Sequence, residues 1–284
     1  MKSSKSSFNY FVSKINSIYD INEAKSIAFL FFESVFNFTK MDILLDKPLP
    51  EVFDFELVIE RLLKYEPIQY IIGEADFFGR KFRVNHYTLI PRQETEELVS
   101  LVIEKLKSVP HLIAKRHVLD IGTGSGCIAI SLDQSVENLT VKAWDISEEA
   151  LKIAKQNNAI NQANVIFEKQ DILKEPLSSD QKFDLIVSNP PYVTNADKVL
   201  MQKNVLDFEP ELALFVEDAN PIIFYEKIGQ FAIQNLKPNG SLLVEINEKF
   251  GQEIANYFKV LGFAKIEIIK DIHQKDRIVT AQKL

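Results

Sequence analysis

The stretch Phe183-Asp184-Leu185-Ile186-Val187-Ser188-Asn189-Pro190-Pro191-Tyr192 joins an apolar run to a polar corner that contains two prolines. A short apolar run that ends at such a corner predicts a buried parallel strand whose carboxyl end opens onto a loop. Ligands of open α/β sheets bind outside the carboxyl ends of the strands, so the corner is a candidate site. The same residues are also compatible with an ordinary turn between a strand and a helix.

The proline corner has the chemistry to hold a flat –NH2 group. Each proline fixes φ near about −65° and lacks a backbone N–H, and Pro191 also restricts Pro190 to an extended conformation. The side-chain carbonyl of Asn189 and the backbone carbonyl of Pro190 can each accept one N–H, while Tyr192 can pack against the flat face. Asn189, Pro190 and Tyr192 are therefore the candidate catalytic residues, and with Pro191 they form the candidate substrate site.

Strands and helices alternate from His117 onward, which is the pattern of a doubly wound parallel sheet in an α/β fold. A helix is predicted to begin after Ser147, a good N-cap, and another at Asn220-Pro221, with residues 237–240 ending it. The predicted strands cover residues 117–121, 140–144, 164–168, a segment ending at 188, 242–246, 264–269 and 277–281. The last two strands are close enough in the chain to form an antiparallel hairpin.

The segment Asp120-Ile121-Gly122-Thr123-Gly124-Ser125-Gly126 connects the first of these strands to a helix. Glycines permit a tight turn there and a close approach of the backbone to a ligand. The spacing Gly-x-Gly-x-Gly differs from the Gly-x-Gly-x-x-Gly of dinucleotide sites, and no Gly-Lys-Ser/Thr follows as in a P-loop. The pattern favours a ligand without phosphates that lies across the turn, and a purely structural glycine turn is the alternative.

Polar residues also follow the next predicted strands. Asp145 stands at the end of the second strand, where an acidic residue can accept both hydroxyls of a ribose. Asp171 follows the third strand and can reach an adenine edge while Ile172 packs on the ring. Asn189 follows the fourth strand. Because parallel strands end at one edge of a sheet, we expect these side chains to converge on one crevice.

The chain is predicted to contain three parts. Residues 1–72 carry apolar and aromatic residues at helical spacing and predict a small helical domain, in which the aromatic stripes form the core. Residues 73–92 include an alternating pattern around Gly79 and predict a β-hairpin linker. Residues 93–284 form the α/β domain, and the acidic residues at 94, 96 and 97 suit the first turn of its opening helix.

Composition excludes several classes of protein. With 284 residues, 46% hydrophobic and 26% charged, the chain is typical of a globular protein large enough for two domains. A formal net charge of −7 argues against a large nonspecific nucleic-acid surface. The single cysteine, Cys127, excludes an intrachain disulfide and favours a reducing cytoplasm. The sequence predicts no signal peptide, no membrane span and, with four scattered histidines, no metal site.

Together, the glycine turn, Asp145 and the Asn-Pro-Pro-Tyr tetrad resemble a class I, Rossmann-like S-adenosylmethionine-dependent methyltransferase. The tetrad is similar to that of amino methyltransferases, which modify –NH2 nitrogens. The resemblance narrows to the HemK-like (PrmC) family, the release factor glutamine methyltransferases. The segments that carry it are residues 69–79, 90–96, 120–130, 189–192, 208–215 and 276–281.

The resemblance implies a reaction and a partner. S-adenosyl-L-methionine would be the cofactor and S-adenosyl-L-homocysteine the product of a direct SN2 transfer. The acceptor would be the side-chain nitrogen of the glutamine in the Gly-Gly-Gln motif of class 1 peptide-chain release factors, which the helical domain would grip. The implied cofactor-binding residues are Gly122, Thr123, Gly124, Ser125, Gly126, Asp145, Asp171, Ile172 and Asn189.

The chain departs from the family pattern at three places, Gln93, residues 216–219 and Asn247. These departures put the shape of local loops in doubt but remove no predicted contact. A nucleic-acid amino methyltransferase with the same tetrad is the main alternative. The acidic composition and the lack of a large basic recognition domain argue against it, so no stable binding of nucleic acid is expected. A methyltransferase-like scaffold without activity and a dinucleotide dehydrogenase are the others.

Overall fold

The computed structural model describes residues 3–50, 53–108, 115–174 and 181–284. Its helices, in chain order, are α1 (Ser4–Ile15), α2 (Ile21–Phe36), α3 (Lys40–Leu44), α4 (Glu56–Leu63), α5 (Ile68–Ile72), α6 (Gln93–Ser108), α7 (Cys127–Ser135), α8 (Glu148–Ile160), a 3₁₀ helix (Asn195–Leu200), α9 (Lys203–Phe208), α10 (Glu211–Leu214), α11 (Ile223–Asn235) and α12 (Gly251–Val260). Its strands are β1 (Glu74–Phe77), β2 (Arg80–Arg83), β3 (Arg116–Ile121), β4 (Leu139–Asp145), β5 (Ile166–Lys169), β6 (Phe183–Ser188), β7 (Val193–Thr194), β8 (Phe215–Val216), β9 (Leu236–Glu245), β10 (Ala264–Lys270) and β11 (Asp276–Gln282).

The chain divides into two compact units. The first comprises Met1–Glu74 together with Gln202–Phe208, and the second comprises Ala75–Met201 and Glu209–Leu284. Met1, where the predicted helical domain begins, lies outside the described residues. The finer division of the chain at residues 72 and 92 stays a prediction.

Local hydrogen bonds define where the helices of the first unit begin. The Asp20 side chain accepts from the backbone N–H groups of Asn22 and Glu23 and caps α2. Thr39 and Asp42 form a reciprocal capping box at the start of α3. The sequence analysis did not predict α3, because a five-residue helix is too short to show a helical period in its apolar residues.

The core of the first unit is built from aromatic rings. Phe11 stacks on Phe31 with ring centroids 5.1 Å apart, and Phe32 stacks on Phe55 at 5.8 Å. All four rings are buried, which confirms that the predicted aromatic stripe is core. Val35, in the same helix as Phe31 and Phe32, is 41% exposed and lies outside this core.

The second unit is built on a seven-stranded sheet with the order β10-β11-β9-β6-β3-β4-β5. The five strands from β9 to β5 are parallel, and β11 pairs antiparallel with both β9 and β10. The α/β fold and the terminal hairpin are thus confirmed. Ile121 of β3 is in register with Trp144 of β4 and Ser188 of β6, so three strand ends lie at one level. The strand order reverses at β3, which is where sheets of this kind bind ligands.

Two hydrophobic cores cover the two faces of this sheet. Successive side chains of a strand point to opposite faces, so Val118 of β3 joins one core and Leu119 the other. Helices α6 and α7 and the β1–β2 hairpin contribute to the first core, and α11 and α12 contribute to the second. The sheet is therefore held as the middle layer, with its carboxyl edge presenting the loops that carry the predicted site.

The structure corrects two predicted element boundaries. Asn220-Pro221 precedes α11 but does not cap it, because the Asn220 side chain donates to Glu226 at 2.9 Å. Residues 237–240, expected to separate a helix from a strand, lie inside β9. The pairing of β9 with β6 is irregular at its start, which accommodates Pro238, a residue that cannot donate to a ladder.

Candidate active site

A cavity of about 350 Å³ opens in the second unit at the carboxyl edge of the sheet. The sequence-predicted residues that line it are Gly122, Thr123, Gly124, Ser125, Asp145, Asp171, Ile172, Asn189, Pro190 and Pro191. Gly126 and Tyr192 are not among the lining residues. The volume lies in the usual range for small-molecule sites, roughly 300–1,000 Å³. Residues from the ends of four strands therefore meet in one cavity, as the sequence predicted.

Backbone hydrogen bonds tie the glycine turn to β4. The N–H groups of Gly122 and Thr123 both donate to the carbonyl of Trp144 at 2.9 Å. Gly124 has a φ of 54° and Gly126 a φ of 82°, a region that glycine adopts without the strain of a side chain. Gly126 is also the N-cap of α7. The turn thus lines the cavity with backbone and begins the helix that follows.

Asp120 is a buried carboxyl group immediately before the turn. Its Oδ2 accepts from the Thr123 hydroxyl at 2.6 Å, whereas Oδ1 has no hydrogen-bond partner among the described residues. Burial raises the pKa of Asp120 to about 7, and the hydrogen bond from Thr123 opposes that effect. Asp120 is fully buried and is not among the residues that line the cavity, so its contact with Thr123 supports the turn from beneath.

The Asp145 carboxylate is held rigidly at the end of β4. Its Oδ1 accepts from the backbone N–H of Ser147 and its Oδ2 from that of Gly124, each at 2.8 Å. Burial raises the pKa of Asp145, while these backbone hydrogen bonds lower it. Each carboxylate oxygen keeps a second acceptor position, so the group can still bind two hydroxyls.

Asp171 and Ile172 form the wall that follows β5. Asp171 Oδ1 accepts from the backbone N–H of Leu173 at 3.0 Å, and Lys174 lies 3.6 Å from Oδ2. Ile172 is 8% exposed and belongs to the second core while also lining the cavity. The contact of Asp171 with an adenine edge stays a prediction, because this side chain is already engaged in its own turn.

The Asn189 side chain is oriented by residues that the sequence analysis did not select. Its Nδ2 donates to the Thr95 hydroxyl at 3.1 Å, and Thr95 donates to Glu245 Oε2 at 2.7 Å. The Tyr192 hydroxyl donates to the other oxygen of Glu245 at 3.2 Å. Tyr192 packs against the second core, and its predicted stacking on a substrate stays a prediction. A charged residue within the apolar run 242–246 was the sequence signal that could have identified Glu245.

An ion pair between a half-buried arginine and a buried glutamate joins two walls of the cavity. Glu209 accepts from Arg92 Nη2 at 2.6 Å and from the backbone N–H of Ile90 at 3.2 Å. The Glu209 side chain is 1% exposed and that of Arg92 34% exposed. Both segments continue into residues that line the cavity, Pro91 on one side and Pro210 on the other. The pair therefore fixes the distance between these walls.

The three departures from the family pattern lie around the site without disrupting it. Gln93 is the first residue of α6. Val216 is buried and ends β8, which pairs with β7 just beyond the tetrad. The Asn247 amide donates to the carbonyl of Tyr192 at 3.2 Å. Asn247 thus supports the backbone of the tetrad.

Other chemistry has little support in the structure. Within the described ranges, no three side chains of His, Cys, Asp or Glu are grouped so as to hold a metal ion. Cys127 is buried, and burial raises the pKa of its thiol to about 12, which makes it a packed residue and a poor nucleophile. The same described part of the chain contains no helix both long and apolar enough to cross a membrane.

The groups in the cavity fit S-adenosylmethionine. The Asp145 carboxylate lines the cavity and has the acceptors for a ribose diol. Ile172 provides apolar surface for a ring. The glycine backbone leaves room for a ligand close to the turn, because a Cβ added at Gly124 meets no atom within 4 Å.

Comparisons with known proteins identify the family. Residues 94–207 match the methyltransferase small domain, and residues 9–73 match the PrmC N-terminal domain. A release factor glutamine methyltransferase of Bacteroides thetaiotaomicron is 44% identical over 278 residues, which cover 96% of this chain and 98% of that protein. A protein of the same name from Flavobacterium psychrophilum is 42% identical, with 95% of each chain covered.

A solved structure shares the fold. It is a methyltransferase from Pyrococcus furiosus with a TM-score of 0.52 and 19% identity, and it covers 81% of this chain and 99% of its own. The full-length similarity to the bacterial relatives confirms the resemblance found in the sequence and leaves the scaffold and dehydrogenase alternatives without support. The protein is an S-adenosylmethionine-dependent methyltransferase, and the chain belongs to the family of release factor glutamine methyltransferases.

Proposed function

We propose that this protein methylates the side-chain amide nitrogen of the glutamine in the Gly-Gly-Gln motif of class 1 peptide-chain release factors. The observation that carries the proposal is the orientation of Asn189, whose amide nitrogen is engaged by Thr95. Its carbonyl oxygen is thereby left to accept an N–H at the cavity. The names of the relatives, release factor glutamine methyltransferase, support the same substrate.

The site acts by position and by charge. S-adenosylmethionine supplies a methyl group bonded to a positively charged sulfur. An amide nitrogen is a poor nucleophile, because its lone pair is delocalised into the carbonyl group. The carbonyl oxygens of Asn189 and Pro190 hold the –NH2 group in one orientation and stabilise the positive charge that develops on its nitrogen. Both acceptors are neutral, so we propose that the proton leaves to water after the methyl group has been transferred.

The rigidity of the walls serves the same purpose. Glu209 and Arg92 hold two sides of the cavity at a fixed separation, and the two prolines of the tetrad have little conformational freedom to lose. A cavity that is already shaped loses less entropy when it binds its substrate. The tetrad therefore supplies orientation without a rearrangement of its own backbone.

We further propose that residues 1–72 recognise the release factor, as the resemblance implies, with residues 73–92 as linker and residues 93–284 as the catalytic domain. The match of residues 9–73 to the PrmC N-terminal domain supports a separate role for this part of the chain. Because release factors act on ribosomes, we place the reaction in the cytoplasm. We expect no stable complex with nucleic acid.

The test is incubation of the purified protein with methyl-labelled S-adenosylmethionine and a class 1 release factor. Wild-type release factor is compared with two variants in which the motif glutamine is replaced by alanine or by asparagine. We expect label on the wild-type factor alone, and peptide mass spectrometry locates the methyl group on the glutamine.

The matched control on the enzyme is Asn189→Ala, which removes the proposed acceptor. Equal labelling of the glutamine and alanine forms of the factor would place the methyl group elsewhere and contradict the proposal. Absence of label on every factor, together with confirmed binding of S-adenosylmethionine, would direct the search to nucleic-acid amino groups, with RNA and DNA oligonucleotides as the next acceptors.

A further inference from the structure

A chain of hydrogen bonds runs from the cavity to a buried carboxyl group at the end of β9. Asn189 Nδ2 donates to Thr95 Oγ1, and Thr95 donates to Glu245 Oε2. The Tyr192 hydroxyl donates to Glu245 Oε1. Thr95 is 2% exposed and Glu245 is 1% exposed, so water does not compete for these contacts. The Tyr225 hydroxyl also donates to the backbone carbonyl of Glu245 at 3.0 Å and holds the end of β9 in place.

The chemistry of these groups fixes which of them donates and which accepts in each hydrogen bond. An ionised carboxylate only accepts hydrogen bonds, so Thr95 must donate its single hydroxyl hydrogen to Glu245. The oxygen of Thr95 can then only accept from its other neighbour. Of the two ends of the Asn189 amide, only the nitrogen donates, and the hydrogen-bond network therefore assigns nitrogen to the Thr95 side. The carbonyl oxygen is consequently the end left for a ligand.

This direction does not require Glu245 to be ionised at every pH. Burial raises the pKa of Glu245, whereas the hydroxyls of Thr95 and Tyr192 and the positive charge of Arg277 lower it. A proton on Oε1 would leave Oε2 as an acceptor, and Thr95 would still donate to it. Only a proton on Oε2 would permit the reverse direction.

We infer that Thr95 and Glu245 are positioning residues for methyl transfer. They determine that the carbonyl oxygen of the Asn189 amide, and not its nitrogen, faces the substrate. The inference rests on the proposed function, because a substrate that presents an –NH2 group needs an acceptor at this place. If the amide were reversed, Asn189 would present N–H groups to the N–H groups of the substrate, and the orientation of the nitrogen would be lost. The alternative is that the chain of bonds only anchors α6 to the sheet.

Substitutions of Thr95 separate these two roles. Thr95→Val keeps the shape of the side chain and removes the hydroxyl, and Thr95→Ser restores the hydroxyl. Thr95→Cys replaces the hydroxyl by a thiol, a weaker hydrogen-bonding group, in a side chain of similar volume. It provides the same test if the valine variant does not fold. Thr280→Val is the matched control, since Thr280 is a buried threonine of β11, the neighbour of the strand that carries Glu245, and does not line the cavity.

The first measurement is the single-turnover rate of methylation at saturating release factor, together with the calorimetric dissociation constant of S-adenosylmethionine. We expect Thr95→Val to slow methylation about 10- to 100-fold, because a small misplacement of a reacting group costs rates of this order. Cofactor affinity should change less than about threefold. Thr95→Cys should fall between the valine variant and wild type, Thr95→Ser should recover most of the rate, and Thr280→Val should match wild type.

The second measurement does not depend on which substrate is methylated. In protein with ¹⁵N-labelled asparagine, the side-chain NH2 signal of Asn189 is identified by its loss in Asn189→Asp. We expect its hydrogens to exchange slowly with solvent in wild type and in Thr95→Ser and faster in Thr95→Val. If the wild-type enzyme transfers no label to the release factor, only the proposed function is overturned. The exchange pattern of Asn189 would still report whether Thr95 positions it.

Two results would overturn the inference itself. One is Thr95→Val or Thr95→Cys methylating at the wild-type rate. The other is Thr95→Ser being as slow as the valine variant, with Asn189 exchanging at the same rate in all of them. A loss of thermal stability in Thr95→Val that Thr280→Val does not reproduce, without any change in rate, would assign this series of hydrogen bonds to the anchoring of α6.

Discussion

Alanine substitutions at Gly126 and Gly124 should have different effects, although the two residues are only two positions apart in the same turn. A Cβ at Gly126 would lie 3.0 Å from Ile130 Cδ1 and 3.2 Å from Ala154 Cβ, where the core is closed. A Cβ at Gly124 meets no atom within 4 Å, and because Gly124 lines the cavity, the added methyl group takes up space there. We therefore expect the first variant to lose stability and the second to lose cofactor affinity.

The expected changes in the free energy of unfolding combine three contributions. A left-handed backbone costs a residue with a Cβ about 1–2 kcal/mol, and it applies to both positions, with φ of 82° and 54°. Alanine recovers about 0.4–1 kcal/mol through the lower entropy of its unfolded chain. Overpacking against Ile130 and Ala154 adds about 1–3 kcal/mol at Gly126 only. We expect Gly126→Ala to lower the free energy of unfolding by about 1–5 kcal/mol and Gly124→Ala by about 0–2 kcal/mol.

The assay can report the second unit specifically. Trp144 is the single tryptophan of the chain, and it lies in β4 with 4% exposure, so its fluorescence follows unfolding of the sheet in urea. Calorimetry gives the dissociation constant of S-adenosylmethionine, which we expect to rise at least about tenfold in Gly124→Ala. The reasoning is refuted if Gly126→Ala is as stable as wild type, or if Gly124→Ala binds the cofactor as tightly as wild type does.

The remaining predictions concern three side chains of the site. Asn189→Ala should slow single-turnover methylation by about 10²–10³-fold with little change in cofactor affinity, and an unchanged rate would remove its assigned role. Asp145→Ala should weaken calorimetric binding of S-adenosylmethionine at least about tenfold, and unchanged affinity would exclude the ribose contact. Asp120 has a folded pKa of about 7 against 3.8 for the ordinary group, so the folded protein holds an extra proton between these values and loses stability as pH rises through them. Asp120→Asn removes this pH dependence. Its free energy of unfolding should exceed that of wild type by up to about 4 kcal/mol at pH 8, with no such difference below pH 4. Urea unfolding followed by Trp144 fluorescence measures this difference.

Features that depend on neighbours in the chain were predictable from the sequence. The glycine turn joins β3 to α7 within a few residues, and Ser147 caps α8 by accepting from Ala150, three residues away. Alternating strands and helices predicted the parallel sheet, and the sheet placed Asp145 and Asn189 at one edge because parallel strands end together. The start of β9 was not predictable in this way, because Asn239 and Gly240 are held in the strand by backbone hydrogen bonds with Lys283, a residue remote in the chain.

Contacts between residues remote in the chain were decided by the tertiary structure alone. Thr95 and Glu245 are 150 residues apart, and Ile90 and Glu209 are 119 apart. The acidic start of α6 was explained by the helix dipole, and nothing in its spacing indicated that Thr95 would turn toward β9. Periodicity and spacing report only what lies within a few residues. The sequence therefore determined the family, the sheet and the position of Asp145 and Asn189 at its carboxyl edge. The packing of α6 against the sheet determined the hydrogen bonds that orient Asn189.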